Sequence, residues 1–134
     1  DPGREPQALE RWRAAADAVL VDAPCSGTGT WRRNPEARWR LTPRELERVT
    51  AIQSRLLDVA ADLVRPGGRL VFVTCSVLDA EGANQAEAFL ARHPGWRAEG
   101  LELARGVHAG MACGWLNASQ IARRQVDPRS WPAF

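Results

Sequence analysis

At 134 residues, with 45% apolar and 25% charged side chains, the chain has the composition of one ordinary globular domain, which excludes a fibrous or wholly disordered polypeptide. The net charge is only +2, yet all 18 basic residues are arginine, and lysine and tyrosine are absent. No apolar run approaches the roughly 20 residues of a membrane span, no signal-peptide pattern opens the sequence, and the three cysteines lack C-x-x-C spacing. The expectation is a cytoplasmic protein with reduced thiols, no membrane segment, no disulfide framework and no metal site.

Residues 6–16 put Leu9, Trp12 and Ala16 on one face and predict a packing helix ahead of the first strand. That strand, about 18–22, is nearly uniformly apolar, which predicts burial on both faces of a parallel sheet. It stops at Asp22-Ala23-Pro24-Cys25-Ser26-Gly27-Thr28-Gly29. From Ala23 to Leu41, Pro24, Gly27, Gly29 and Pro35 break any helix and predict a long loop, an element that inside compact domains is usually functional. Its second half sets Arg32, Arg33, Arg38 and Arg40 beside Trp31 and Trp39, against the single acid Glu36. Such a segment can hold phosphates while stacking bases, or it can anchor itself on its tryptophans and leave its arginines solvated. The arginine bias likewise fits either genome composition or the phosphate-matching fork of guanidinium.

Thr42-Pro43-Arg44-Glu45 opens the clearest helix, with a capping threonine, a proline preset for the first position and a glutamate placed as in a capping box. Leu46, Val49, Ile52, Leu56, Val59, Ala60 and Leu63 form its expected inward face, as far as Val64. Pro66-Gly67-Gly68 stops it through a left-handed glycine turn, and a strand follows at about 69–74, ending in Thr74-Cys75-Ser76. Strand, loop, helix and strand make a right-handed crossover unit. Residues 81–92 read as a further helix with Ala83, Ala86, Phe89 and Leu90 inward, and 96–103 as a strand antiparallel at a sheet edge. Residues 104–134 show no clean period, and their glycines, Pro128 and Pro132 argue against a long element. The reading is a domain over 1–103 and a tail of unassigned structure over 104–134.

Residues just past the carboxyl ends of parallel strands line the ligand crevice, so Cys25 and Cys75 are expected to face one pocket. Several thiol and phosphate sites fail on spacing. Arg32 lies one place too far from Cys25 for a thiol-phosphatase loop, no lysine exists for a Walker loop, and Gly27-Thr28-Gly29 lacks the third glycine of a dinucleotide fingerprint. His93 and His108 read as surface residues. Chemistry that needs two thiols, an acid and a nucleic-acid grip is methylation at carbon 5 of cytosine. Thiolate addition at carbon 6 makes the ring enamine-like. The adduct then attacks a sulfonium methyl group, loses the carbon 5 proton and expels the thiol.

Asp22-Ala23-Pro24-Cys25-Ser26-Gly27-Thr28-Gly29, followed by Arg32-Arg33-Asn34-Pro35-Glu36, Trp39, Pro66-Gly67-Gly68 and Thr74-Cys75-Ser76, resembles the RsmB/NOL1/NOP2/Sun family of RNA cytosine-C5 methyltransferases over about residues 17–92. The resemblance implies an α/β, Rossmann-like class I methyltransferase fold, partial, with a mostly parallel sheet and flanking helices. It implies Cys75 as the nucleophile, Cys25 as the thiol that helps release product, and Asp22 between methyl donor and base. S-adenosylmethionine is the implied cofactor, with Asp22 and Pro24 at its site, and RNA (rRNA or tRNA) the implied partner, gripped by Arg32, Arg33, Arg38, Trp39 and Arg40. The family's glycine-rich donor loop and the acid after its second strand are not found ahead of Asp22, and its closing Gly-Phe-Phe-like strand is not found in 104–134. The stretch 1–103 therefore reads as the C-terminal part of the catalytic domain, expected to methylate RNA weakly or not at all by itself. The alternatives are a non-catalytic RNA-binding or structural fragment, or a methyltransferase acting on DNA or another substrate.

Overall fold

The computed structural model describes residues 5–99 and 117–124. A short helix α1 (Glu5–Leu9) runs into a 3-10 turn (Glu10–Trp12) and then strand β1 (Ala16–Asp22). Two further 3-10 turns (Thr28–Thr30 and Pro35–Arg40) lead to the long helix α2 (Pro43–Leu63) and strand β2 (Val64–Thr74). A 3-10 turn (Asp79–Glu81), helix α3 (Ala83–Arg92), strand β3 (Trp96–Glu99) and strand β4 (Asn117–Arg124) complete the order. The sheet runs β1-β2-β4-β3. β1 and β2 pair in parallel, and β4 pairs antiparallel with both β2 and β3, so three strands share one direction and β4 opposes them. This is the mostly parallel sheet with flanking helices expected of a partial Rossmann-like fold. No helix among the described residues is long and apolar enough to cross a membrane.

The core lies between the sheet and its helices. Leu57, Ala60 and Ala61 of α2 meet Val64, Leu70 and Phe72 of β2, with Phe89 of α3 and Trp96 of β3 closing the cluster. Phe89 and Trp96 meet edge to face at 5.4 Å. As predicted, Thr42 caps α2, its hydroxyl accepting from the Glu45 N–H at 3.2 Å, and Pro43 occupies the first turn.

Several expectations are corrected. The helix of residues 6–16 ends early: Ala16 belongs to β1 and Trp12 is half exposed. The chain leaves the helix because Ala14 turns to φ 51° and the N–H groups of Ala14 and Ala15 donate to the Asp62 and Leu63 carbonyls, satisfying the open end of α2. β1 is not buried on both faces: Val19 and Val21 pack on the core, while Leu20, on the opposite face, is 67% exposed. On α2 the deepest line is Val49, Gln53, Leu57, Ala60 and Ala61, while Leu46, Ile52, Leu56, Val59 and Leu63 are only half buried. The helix ends on extended Val64 rather than on a left-handed glycine. Gly67 takes φ 79° three residues later, and a side chain on Gly68 would stand 2.8 Å from the Asp17 carbonyl. On α3, Gln85 and Phe89 are buried, Ala86 and Leu90 half buried, and Ala83 exposed.

The expectation of no long element in 104–134 is overturned by β4, whose eight residues lie inside the sheet. Its sequence is poor in β-branched and aromatic residues; ladders on both sides, not local propensity, make it a strand. The edge strand predicted over 96–103 is present as Trp96–Glu99, antiparallel to β4. Its last four residues, His108 and Cys113 lie outside the described residues.

Candidate active site

Parallel pairing places Asp22 opposite Val73, and the Ala23 N–H donates to the Val73 carbonyl at 2.9 Å, so β1 and β2 leave the sheet side by side. The two cysteine turns therefore emerge together at the strands' carboxyl ends, and the Cys25 and Cys75 sulfurs lie 3.2 Å apart, both half buried. Burial, and then the hydrogen bond to Cys75, push the Cys25 thiol up to about 11. At neutral pH Cys25 keeps its proton and can donate it to the Cys75 sulfur.

A buried polar network supports the pair. Glu81, fully buried, accepts the Ser26 N–H at 2.8 Å and the Gln53 amide at 3.0 Å on Oε1; its Oε2 accepts the Ser76 hydroxyl at 2.6 Å and the Ser26 hydroxyl. Gln53 also donates to the Pro24 carbonyl at 2.9 Å. Buried Thr28 bonds the Ser76 hydroxyl at 3.0 Å and accepts the Val77 N–H at 2.9 Å, while the Gly29 N–H donates to the Cys75 carbonyl at 2.9 Å. Gly27, at φ 68°, supplies the left-handed step that bends the Cys25 turn back onto β2. Sequence reasoning missed Glu81, Gln53, Thr28, Ser26 and Ser76. The available signals were the serine that follows each cysteine and a glutamine set four residues from both Val49 and Leu57 on the inward line of a helix.

The arginine-rich segment forms the outer wall. Ala37, Arg40 and Leu41 line a shallow open cavity with Cys25, Ser26 and Glu45. Trp31 is half buried and anchors the segment, whereas Trp39 is 77% exposed beneath the Arg38 guanidinium, 4.6 Å from its ring centre. The loop thus divides between the two readings, one tryptophan packed inward and one presented outward. Arg32, Arg33, Arg38 and Arg40 are all exposed.

Asp22 and Pro24 are exposed at the end of edge strand β1. A carboxylate there suits the positive charge of a sulfonium methyl donor, but both side chains are exposed and neither lines the cavity beside Cys25. Among the described residues no group of His, Cys, Asp and Glu could hold a metal ion.

The model of the family described as 16S rRNA methyltransferase RsmB/F matches residues 3–128. Ribosomal RNA small subunit methyltransferase B of Thermus thermophilus is 46% identical over 97 residues, 69% of this chain and 24% of that protein. The crystal structure of PH0851 superposes with a TM-score of 0.68 and 34% identity, covering 85% of this chain and 27% of that one. NSun6 from Pyrococcus horikoshii, solved with SFG, shares the fold at a TM-score of 0.61 and 22% identity, over 81% of this chain and 30% of its own. The chain spans about a quarter of the length of the relatives it matches. With the strand order, the paired cysteine turns and this match in agreement, the chain belongs to the 16S rRNA methyltransferase RsmB/F family.

Proposed function

We propose that this chain carries the thiol half of a cytosine-C5 methyltransferase acting on ribosomal RNA in the cytoplasm, with S-adenosylmethionine as the methyl donor. The observation that supports it most is the 3.2 Å approach of the Cys25 and Cys75 sulfurs at the carboxyl ends of two parallel strands. Cys75 adds as thiolate to carbon 6 of the target cytosine, making carbon 5 nucleophilic. S-adenosylmethionine, when bound, supplies an electrophilic methyl group to that carbon. Loss of the carbon 5 proton to water and cleavage of the Cys75 bond to carbon 6 restore the aromatic ring. Cys25, which holds its proton and bonds to the Cys75 sulfur, donates to that sulfur as it departs. Asp22, exposed at the end of β1, would orient the base edge and offset the positive charge of a bound donor. The cavity lined by Cys25, Ser26 and Arg40 opens beside the thiol pair, and the exposed Arg38–Trp39 pair holds the RNA there.

The test is covalent trapping with RNA carrying 5-fluorocytosine, in the presence of saturating S-adenosylmethionine. This suicide substrate accumulates rare events and so reads even a weakly active chain. A denaturation-resistant adduct is expected, lost in Cys75→Ala and retained in Cys25→Ala. The reverse pattern would assign attack to Cys25 and overturn the proposed roles.

A further inference from the structure

Besides the direct contacts between the two cysteine turns, through Thr28 and through the Ser26 and Ser76 hydroxyls 3.3 Å apart, a side chain that follows both turns in the chain receives bonds from each of them. Glu81 is 0% exposed and stands in the 3-10 turn between β2 and α3. Its two oxygens accept four hydrogen bonds, and the donors come from three parts of the chain: Ser26 twice, Ser76 once and Gln53 once. Ser26 directly follows Cys25, and Ser76 directly follows Cys75. Gln53, the third anchor, also holds the carbonyl of Pro24, which directly precedes Cys25. All four donors are neutral groups.

A carboxylate taken wholly out of water is costly, and a core built only for stability would use an apolar side chain at this point. What the carboxylate provides is geometry, since only an acceptor with two oxygens can receive four donors converging from two directions. A one-residue lever connects each serine to its cysteine, so a shift of either serine moves a sulfur. We infer that Glu81 is the positioning residue of the thiol pair, a buried acceptor that clamps Ser26 to Ser76 and thereby sets the approach of the Cys25 and Cys75 sulfurs. This inference rests on the proposed roles of the two cysteines for its catalytic meaning, but its geometric content is measurable without RNA or methyl donor.

Two sulfurs held 3.2 Å apart are quickly joined by a thiol oxidant of the diazenedicarboxamide type, which takes up the two thiol protons and two electrons as the disulfide forms. The experiment compares that cross-linking rate, followed by mass spectrometry, in the unaltered chain, Glu81→Gln and Ser26→Ala, each checked for folding by circular dichroism. Glu81→Gln keeps the shape but turns one acceptor into a donor that faces hydroxyls and N–H groups. Ser26→Ala removes one hydroxyl and leaves the Ser26 N–H, Ser76 and Gln53 on the carboxylate, so it serves as the gentle variant should Glu81→Gln fail to fold. The expected result is a fall of tenfold or more in the Cys25–Cys75 cross-linking rate for Glu81→Gln and of severalfold for Ser26→Ala. Single-thiol alkylation of the unfolded variants should remain unchanged. Cross-linking at the unaltered rate in a folded Glu81→Gln chain, or in Ser26→Ala where Glu81→Gln does not fold, overturns the inference. Failure of RNA trapping with normal cross-linking behaviour would instead count against the proposed function and leave the clamp standing.

Discussion

The two cysteine turns look alike in sequence, each an apolar strand ending in a small residue, a cysteine and a serine, yet they are held in different ways. Cys75 is bracketed by Thr74 and Ser76, which are 0% and 1% exposed, at the end of a strand paired on both sides. Cys25 follows exposed Pro24, just past the end of an edge strand, in a loop that needs a left-handed glycine to return. The Cys75 turn leaves a strand paired on both sides and also bonds Glu81 through Ser76; the Cys25 turn leaves an edge strand and is joined to the Cys75 turn by polar bonds that involve Glu81, Gln53 and Thr28. A nucleophile benefits from a fixed frame, while a group that acts on a departing sulfur must fit around a bound base. The difference in support matches the difference in proposed role.

The strands beneath the turns should respond very differently to truncation. Phe72→Ala opens a cavity at a position 2% exposed and is expected to cost about 3–5 kcal/mol of stability. Leu20→Ala, in the matching strand but 67% exposed, should cost less than about 0.5 kcal/mol. Urea denaturation of both variants checks this, and equal losses would break the contrast between a buried and an open strand. On the outer wall of the Cys25 turn, Trp39→Ala should weaken RNA binding by about 1–3 kcal/mol through lost stacking, without changing the melting temperature. Fluorescence anisotropy with a labelled RNA measures it; Trp31→Phe, at the half-buried tryptophan of the same loop, should leave affinity nearly unchanged.

The smallest effect lies far from both turns. At Asp58 burial raises the carboxyl, but hydrogen bonds from His93 at 2.9 Å and Arg92 at 3.0 Å outweigh it and leave the group below its ordinary value. A carboxylate depressed in the folded state adds stability above its unfolded pKa and loses it as pH falls through the folded one. Asp58→Asn should therefore lower stability at neutral pH by less than about 1 kcal/mol, the pair being solvent-exposed, and the deficit should vanish in acid. Melting curves from neutral to acid pH check the sign, and a deficit that grew in acid would contradict it.

What could be read from the sequence was whatever local chemistry decides. Thr42-Pro43 and the small-residue turns after β1 and β2 act through neighbours in the chain, and the helix start and the meeting of the two cysteines followed from them. What could not be read depends on partners distant in sequence. Leu20 looks as buried as Leu70, and only the packing of the folded sheet shows that its face is open to solvent. β4 has no strand-like composition and becomes a strand by lying between two others. Gln53 sits on the inward period of α2, yet neither its role nor that of Glu81 is written locally, because a buried polar residue is defined by the bonds it finds, and theirs come from loops up to 55 residues away.

The most direct measurement of the central claim uses ordinary cytosine-containing RNA, in which release is chemically allowed. After incubation with S-adenosylmethionine, the Cys25→Ala chain run on a denaturing gel should accumulate a covalent RNA adduct, while the unaltered chain shows little and Cys75→Ala shows none. Accumulation in Cys75→Ala, or equal low levels in the unaltered and Cys25→Ala chains when 5-fluorocytosine RNA is trapped by both, would contradict the division of labour between the two thiols.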